Sequence, residues 1–524
     1  MTSAGDSPTK RKLSETPTMA DGTDGSSPEP DTKKVQLEDG TAVPANPEKP
    51  VHAHDYKQNG KWKEITKENA NFEKFYRACN IVPGGDEGFT QFMDSMRSDL
   101  PSTFRIVGSK AEVKSFRAIL ESQFISKMAD IQIEGKPIPK PSPVSWIPDQ
   151  RVWNIGLPRL LIRKSPELDA FHKFIVQENT EGNITRQELV SMIPPLLLDV
   201  QPDHLVLDMC AAPGSKTAQI IEALHETPLM EDGTPALPTG MVVANDVDHR
   251  RCQMLVHQIK RLQSPACVTS NYDASLFPTI SLPVEDPATQ HPLSNPLQFD
   301  RVLCDVPCSG DGTLRKNPAI WSKWNHANAI ALHNLQIRIA VRGLELLKIG
   351  GRFVYSTCSF NPIENEAVVA ELLRQFPNEL RLVDTSDALP GMSRQPGLTQ
   401  WPICNRNLDF YQSKADIPAA ETQHIKDSMC PPTPEEVERM HLDRCIRILP
   451  HVLDTGGFFI AVFEKLGPIG SVDARRAAYA NVPPPADDAT GLDDETLKVL
   501  GKLRRPKGGD AGPRKSRFYT EDPT

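Results

Sequence analysis

Short apolar runs that predict buried strands alternate with amphipathic segments between residues 165 and 466. This alternation favours a parallel sheet with crossover helices, so we predict a doubly wound, Rossmann-like α/β domain. The predicted strands cover residues 204–208, 241–244, 266–269, 301–304, 353–356 and 458–463. The predicted helices cover residues 216–224, 252–262, 328–347, 365–376 and 434–449. Pro-rich interruptions at about 226–240 and 279–299 predict surface insertions.

The flanking segments differ in composition from this region. Residues 1–54 are crowded with Ser, Thr, Pro, Gly, Asp and Glu, which predicts a disordered tail. Residues 55–164 combine a helical pattern with alternate prolines between 137 and 148, which predicts a small mixed α/β accessory domain with an extended joint. Residues 467–524 are basic and punctuated by Gly and Pro, and we predict a second disordered tail.

Composition narrows the class of protein. The chain has 524 residues, of which 38% are hydrophobic and 24% charged, as expected for a globular protein with polar tails. We expect neither a membrane-spanning helix nor a secretory signal, because no apolar stretch approaches about 20 residues and the N-terminus is polar. Ten cysteines without zinc-type spacing predict neither a disulfide scaffold nor a metal site. The net charge of −9 argues mildly against a nucleic-acid partner, although a whole-chain sum can hide a local basic surface.

The loops that follow the predicted strands are candidate ligand sites, because ligands of such sheets bind at the carboxyl ends of the strands. The first loop, residues 208–217, is rich in small residues, but Gly214 is its only glycine, so the dinucleotide and phosphate-loop fingerprints are absent. Asp246 follows the second strand, where a carboxylate commonly accepts hydrogen bonds from ribose hydroxyls, and Asp273 follows the third strand, where it is placed to meet the edge of an adenine. Either acid could instead be an ordinary helix cap. Acidic residues at the strand ends, around a loop without a phosphate-binding motif, predict a ligand that is a nucleoside without phosphates and with a cationic group. S-adenosylmethionine fits this description.

Two cysteines follow the fourth and fifth strands of the predicted sheet. Either Cys308 or Cys358 alone would more often be a core thiol, but two at the mouth of one cleft predict covalent chemistry.

Carbon 5 of cytosine is too weak a nucleophile to take a methyl group directly, and a thiolate that adds to carbon 6 activates it. Asp305 is the candidate acid that faces the ring nitrogen and the exocyclic amine.

Basic residues gather around this region and offset the negative total. Between residues 301 and 360 the chain carries Arg301, Arg315, Lys316, Lys323, Arg338, Arg342, Lys348 and Arg352. This excess predicts contact with a phosphate backbone. Lys323 lies between Trp321 and Trp324, which are either core aromatics or base-stacking surfaces.

Three motifs together resemble the NSUN-type RNA (cytosine-5) methyltransferases, and most of all their eukaryotic tRNA-modifying branch. They are DMCAAPGSKT at 208–217, DVPCSG at 305–310 and STCS at 356–359. The likeness extends roughly from Trp62 to Leu466 and includes SMIPPLLL at 191–198 and GGFF at 456–459. It implies an S-adenosylmethionine-dependent methyltransferase domain at 165–466 and an accessory RNA-binding domain at 55–164.

The resemblance also implies roles for individual residues. Cys358 matches the nucleophile of the family, Cys308 matches the cysteine that assists product release, and Asp305 is expected near the target cytosine. The positions that match the S-adenosylmethionine site are Cys210, Ala211, Ala212, Pro213, Gly214, Ser215, Lys216, Asp246, Asp273 and Asp305.

The leading hypothesis is therefore methylation of carbon 5 of cytosine in tRNA. The alternatives are the same chemistry on ribosomal or messenger RNA, and a non-catalytic RNA-binding assembly factor. A DNA methyltransferase is disfavoured, because it would need Glu-Asn-Val where this chain has only Glu364-Asn365-Glu366, after Cys358. Basic clusters in both tails, with the family, lead us to expect the nucleus, with the nucleolus or cytoplasm as alternatives.

Overall fold

The computed structural model describes residues 57–58, 61–62, 65–128, 130–133, 135–228, 230, 235–285 and 292–473. The whole predicted N-terminal tail, residues 1–54, the basic clusters of both tails and the part of the predicted C-terminal tail beyond residue 473 lie outside these residues. Residues 1–63 form a separate unit, in which strands β1 (Lys57–Gln58) and β2 (Lys61–Trp62) pair antiparallel.

The remaining helices and strands belong to the second unit, residues 64–524. Its helices are α1 Ala70–Cys79, α2 Gly85–Arg97, α3 Lys110–Leu120, α4 Ser126–Met128, α5 Arg159–Lys164, α6 Asp169–Glu181, α7 Ile193–Leu198, α8 Ser215–Leu224, α9 His249–Lys260, α10 Ile320–Lys323, α11 His326–Leu346, α12 Glu366–Gln375, α13 Pro434–Met440 and α14 Pro450–Leu453. Its strands are β3 Pro101–Ile106, β4 Gln132–Ile133, β5 Lys136–Pro137, β6 Ser142–Pro143, β7 Val152–Pro158, β8 Ile184–Arg186, β9 Leu205–Asp208, β10 Met241–Asn245, β11 Cys267–Ser270, β12 Ser281–Glu285, β13 Pro292–Pro296, β14 Phe299–Asp305, β15 Leu347–Thr357, β16 Leu380–Leu382, β17 Gln395–Pro396, β18 Ile403–Cys404, β19 Phe410–Tyr411, β20 Ile446–Ile448 and β21 Phe458–Lys465.

The central sheet has nine strands in the order β11-β10-β9-β14-β15-β21-β20-β17, with β16 also paired to β21. Strands β9, β10, β11, β14 and β15 are parallel, and β21 runs antiparallel to β15. The central strands β9, β10 and β21 are mostly buried and apolar, and buried apolar residues pack in two clusters that include this sheet. The chain order reverses between β9 and β14, and such a switch point opens a ligand crevice at the carboxyl ends of the strands. The predicted doubly wound fold is confirmed.

A second, smaller sheet has the order β6-β7-β3-β8 and is antiparallel throughout. Helices α3 and α6 close its core, in which Phe104, Trp153 and Phe171 are buried. The sheet extends past the predicted limit at residue 164, because β8 pairs with β3 and supplies the buried Ile184.

Helices α1 and α2 pack against the central domain rather than against the small sheet. Phe72 contacts Trp321 and Trp324, with ring centroids 5.3 and 5.4 Å apart, and Phe92 contacts Phe360 at 5.3 Å. The hydroxyl of Tyr76 donates a hydrogen bond to the buried carboxylate of Asp311. The region predicted as one accessory domain therefore contains two parts with different neighbours.

Two predictions near the C-terminal end of the fold are wrong. The helix predicted at 434–449 ends at Met440, because His441 takes a left-handed backbone conformation with φ 53°. The residues after it form β20, in which Ile446 and Ile448 are buried in the main sheet. The folded part also continues past residue 466, since Val472 is buried and Asp473 pairs with Lys465 at 2.7 Å.

Candidate active site

The two predicted loop cysteines lie side by side. Strands β14 and β15 are parallel neighbours in which Asp305 is paired with Ser356, so the loops that follow leave the same edge of the sheet. The sulfur atoms of Cys308 and Cys358 are 3.4 Å apart, within hydrogen-bond distance for thiols, and both residues are partly exposed. The hydrogen bond with Cys358, burial and the nearby charges raise the pKa of Cys308 well above its usual range. Cys308 therefore holds a proton at neutral pH.

Asp305 and Lys216 form an ion pair next to the thiols. The ammonium of Lys216 donates to Oδ2 of Asp305 at 2.7 Å, and the hydroxyl of Ser356 donates to Oδ1 at 2.7 Å. Burial alone would lower the pKa of Lys216, but the carboxylate of Asp305 and the proximity of Cys358 raise it above the ordinary value. Lys216 thus stays positively charged and keeps the Asp305 carboxylate fixed at the mouth of the cleft.

The small-residue loop joins β9 to α8 in the way its sequence predicts. Ala211 and Ala212 are buried, and Gly214 has a positive φ of 105°. A Cβ at Gly214 would lie 2.9 Å from Cδ1 of Leu255, so the loop needs glycine to pack against α9. Helix α8 begins at Ser215 without a side-chain cap, which leaves its first backbone N–H groups suited to a carboxylate. Burial raises the pKa of Cys210 well above its usual range, so this thiol is a neutral group.

Asp246 lies at the end of β10 and is 1% exposed. Its Oδ2 accepts a hydrogen bond from the backbone N–H of Ala212 at 3.2 Å, and its Oδ1 accepts one from Asp248 at 3.1 Å. Arg251 approaches the same carboxylate at 3.4 Å. The acid therefore holds the small-residue loop against the second strand.

Asp273, which follows β11, is exposed and does not share these contacts. Its Oδ1 accepts hydrogen bonds from the backbone N–H and the hydroxyl of Ser275, at 2.9 and 2.8 Å. This is the helix-cap role that the sequence left open, at the start of a short 3-10 turn, residues 274–276. A contact between Asp273 and a cofactor stays a prediction.

The chemistry of these groups fits S-adenosylmethionine. An uncapped helix N-terminus suits the carboxylate of its amino-acid part, and the acidic strand ends suit its ribose hydroxyls and ammonium group. The narrow loop has no cluster of glycines for a pyrophosphate.

Sequence reasoning missed two buried polar residues that hold the site together. Asn245 is fully buried, and its amide donates to the carbonyls of Met209 and Tyr272 at 3.0 and 2.9 Å, which ties three strand ends together. Glu364 is fully buried behind the cysteine loops and entered the sequence argument only as part of a mismatched DNA-methyltransferase motif. The sequence could have indicated Asn245, because it is a polar residue at the end of an apolar strand. It could not have indicated Glu364, because the importance of that residue depends on contacts seen only in the structure.

Several of the basic residues between 301 and 360 pair with acids or are buried, and contact of the remaining ones with a phosphate backbone stays a prediction. Arg301 and Arg352 both approach Asp199, at 3.5 and 3.6 Å, toward the amino ends of their strands and away from the cysteines. The Arg315 side chain is 1% exposed and pairs with Asp454. Trp321 and Trp324 are buried core aromatics. Within the described parts of the chain, no helix is long and apolar enough to cross a membrane.

Asp208, at the end of β9, provides a test of the electrostatics of this edge. It is 1% exposed, Oδ2 accepts from Thr217 at 2.7 Å, and Oδ1 has no hydrogen-bond partner among the described residues. Burial raises its pKa to about 7. Because the unfolded carboxyl titrates near 4, the native state binds more protons between pH 4 and 7, and this group lowers stability as the pH rises.

We therefore expect Asp208→Asn to flatten the pH dependence of stability. The contribution of Asp208 to the free energy of unfolding should fall as the pH rises from 5 to 7, by at most about 1.4 kcal/mol per pH unit. The asparagine of the variant does not titrate, so the free energy of unfolding of the variant should fall less steeply with pH, by up to this amount per pH unit. Urea unfolding at pH 5, 6 and 7 measures both slopes, and parallel curves would contradict the assignment.

Comparison with known proteins identifies the relatives of this chain. A family model described as 16S rRNA methyltransferase RsmB/F matches residues 195–464, just over half of the chain. The tRNA (cytosine(34)-C(5))-methyltransferase of Drosophila melanogaster is 42% identical over 476 residues, which are 88% of this chain and 62% of that protein. The multisite-specific tRNA:(cytosine-C(5))-methyltransferase of Saccharomyces cerevisiae is 43% identical over 464 residues, 88% of this chain and 64% of that protein.

A more distant relative is covered more fully. The tRNA (cytosine(49)-C(5))-methyltransferase of Pyrococcus abyssi is 30% identical over 293 residues, which are 56% of this chain and 77% of that protein. The chain spans somewhat less than two thirds of the fly and yeast proteins. The family model and these identities agree with the fold and with the motifs around the two cysteines. The chain therefore belongs to the RsmB/F family of RNA methyltransferases.

Proposed function

We propose that this chain transfers a methyl group from S-adenosylmethionine to carbon 5 of cytosine in tRNA, through a covalent bond between a cysteine and carbon 6. The observation that carries the proposal is the pair of thiols, 3.4 Å apart, at the edge of a sheet where Asp305 and Lys216 also meet. The fly, yeast and archaeal relatives are named as tRNA cytosine-C5 methyltransferases, which supports tRNA as the substrate.

S-adenosylmethionine supplies an electrophilic methyl group. The residues that would hold it are the loop from Cys210 to Lys216, Asp246, Asp273 and Asp305. The buried Asp246 keeps Ala212 and its neighbours in place, so that the uncapped start of α8 faces the crevice. The small side chains of the loop let the backbone approach the ligand closely.

Cys358 is the nucleophile in this proposal. Its thiolate adds to carbon 6 of cytosine, and the electron pair that this addition moves to carbon 5 attacks the methyl group. The ammonium of Lys216 interacts electrostatically with Cys358, so it would stabilise a negative charge on this sulfur. Asp305 accepts a hydrogen bond from the exocyclic amine of the base, and Ser356 and Lys216 hold its carboxylate in place.

Cys308 completes the reaction. The hydrogen bond with Cys358 is the largest cause of the high pKa of Cys308, and the charge of Cys358 adds to it. Both influences are lost when the sulfur of Cys358 is bonded to carbon 6, so the pKa of Cys308 falls at that step. Cys308, which is partly exposed, can then give up its proton to solvent, and its thiolate takes the proton from carbon 5. The electron pair of that C–H bond restores the double bond between carbons 5 and 6 and expels the thiolate of Cys358, which releases the product.

Methyl transfer from labelled S-adenosylmethionine to unmodified tRNA, followed by bisulfite sequencing, tests the proposal. We expect 5-methylcytosine at defined positions of the tRNA and none in a parallel reaction with the Cys358→Ala variant. Incorporation into ribosomal or messenger RNA but not into tRNA would overturn the substrate. No incorporation into any RNA would overturn the enzymatic function and favour the RNA-binding factor.

We also propose a nuclear location, supported by the basic residues 10–12 and those between 502 and 517. Imaging of the tagged chain tests this location, with the same chain lacking the basic clusters as its control.

A further inference from the structure

One buried carboxylate contacts the residue that follows each cysteine. The backbone N–H of Ser309, next to Cys308, donates to Oε1 of Glu364 at 2.8 Å, and the Ser309 hydroxyl donates to Oε2 at 2.5 Å. The hydroxyl of Ser359, next to Cys358, donates to the same Oε2 at 2.6 Å. The two hydroxyls are themselves 3.1 Å apart. The two cysteine loops, 50 residues apart in the chain, are thus joined at a single oxygen atom.

The position of Glu364 is itself fixed from several sides. Its side chain is fully buried, and Gln336 of α11 donates to Oε1 at 3.1 Å. The same amide group donates to the carbonyl of Pro307 at 2.9 Å, so α11 also holds the residue before Cys308. The hydroxyl of Tyr355 donates to the backbone carbonyl of Glu364 at 2.6 Å. A residue whose side chain is held by two loops and a helix, and whose backbone carbonyl is held by a strand, has little freedom to shift.

We propose that Glu364 is a positioning residue that sets the separation of Cys308 and Cys358, so that Cys308 can act on the adduct formed by Cys358. The catalytic part of this inference rests on the proposed function. Glu364 touches neither thiol in the described structure and acts through Ser309 and Ser359. Without it, the two loops would lose their shared acceptor and would keep only weaker ties, such as the contact between the two serine hydroxyls and the backbone hydrogen bond from Gly312 to the carbonyl of Cys358 at 2.9 Å.

The kinetic test compares two substitutions at this position. Glu364→Ala removes both links, and we expect kcat to fall about 10²-fold, the cost of a misplacement of about 1 Å, with the KM for RNA unchanged. Glu364→Gln keeps one acceptor oxygen and the shape of the side chain. Because Ser309 and Ser359 can rotate their hydroxyls to accept from the amide, we expect Gln to restore kcat to within about tenfold.

A matched control separates positioning from stability. Asp473 is also a buried carboxylate, but it pairs with Lys465 at the opposite edge of the sheet. Asp473→Ala should lower the unfolding temperature without lowering kcat at a temperature where the variant is folded. If Glu364→Ala does not fold, Ser359→Ala removes one link without removing the carboxylate and should lower kcat in the same way. Full kcat in a folded Glu364→Ala or Ser359→Ala variant would overturn the proposal.

A second measurement needs neither RNA nor cofactor. Phenylarsine oxide condenses with two neighbouring thiols, loses one water molecule and so reports whether the two sulfurs are held together. We expect tight capture by the unmodified protein, background capture by the Cys308→Ala/Cys358→Ala double variant, and capture at least about tenfold weaker by Glu364→Ala. Capture by Glu364→Ala as tight as by the unmodified protein would overturn the proposal. If the unmodified protein methylates no RNA but this difference is found, the proposed function fails and the positioning of the thiols by Glu364 stands.

Discussion

Replacement of Cys358 by alanine should abolish methyl transfer, with a loss on the order of 10⁴-fold or more, as when the nucleophile of a covalent catalyst is removed. Alanine cannot add to carbon 6 of cytosine, and carbon 5 then lacks the electron density to attack a methyl group. Cofactor binding should be unaffected, because Cys358 is not among the residues that would hold S-adenosylmethionine. Methyl transfer to tRNA and calorimetric titration with S-adenosylmethionine measure the two properties in the same preparation.

The matched control is Cys267→Ala. Cys267 is another partly exposed cysteine, at the first position of β11 and so at the amino end of that strand, and it lies outside the cysteine pair. This variant should transfer methyl groups at the unmodified rate. Activity retained by Cys358→Ala would show that another group forms the covalent bond, and the first group to examine would be Cys308.

The strands and the loops after them were predictable because the local pattern decides them. Apolar runs buried on both sides and small-residue loops leave few alternatives in a parallel sheet. The observed strands begin and end within a few residues of the predicted ones in most cases, and β15 is longer because it continues back to Leu347. The proximity of Cys308 and Cys358 followed from the prediction that their strands are neighbours, which the register confirms.

The supporting interactions were not predictable, because they depend on partners far away in the sequence. The helix predicted at 434–449 is interrupted by β20, where the buried Arg447 donates to Glu366 of α12 at 2.6 Å. The amphipathic spacing of this segment fits a helix, but pairing with β21 and the ion pair with Glu366 stabilise a strand instead. Several basic residues between 301 and 360 show the same limit, since a sequence shows their charge but not the acids Asp199, Asp300 and Asp454 that pair with them.

Replacement of Cys308 by alanine should have the opposite effect on the covalent intermediate from replacement of Cys358. Cys358 would still add to carbon 6 and the methyl group would still be transferred, because Lys216 and Asp305 remain in place. No thiolate would then lie 3.4 Å from Cys358 to take the proton from carbon 5, so the bond between protein and RNA should persist. We expect a protein–RNA adduct that survives denaturing electrophoresis and carries the labelled methyl group.

The double variant Cys308→Ala/Cys358→Ala controls this experiment, since it has no nucleophile and should form no adduct. The pH dependence separates a proton-transfer role from a steric one. Cys308 holds its proton at neutral pH while Cys358 is free. In the proposed mechanism it loses that proton after Cys358 is bonded to carbon 6. Release of the adduct should therefore accelerate with rising pH in the unmodified protein and stay slow at every pH in Cys308→Ala. An adduct trapped by Cys358→Ala instead would reverse the two roles, because the cysteine that remains in the trapped variant must be the one that attacks the base.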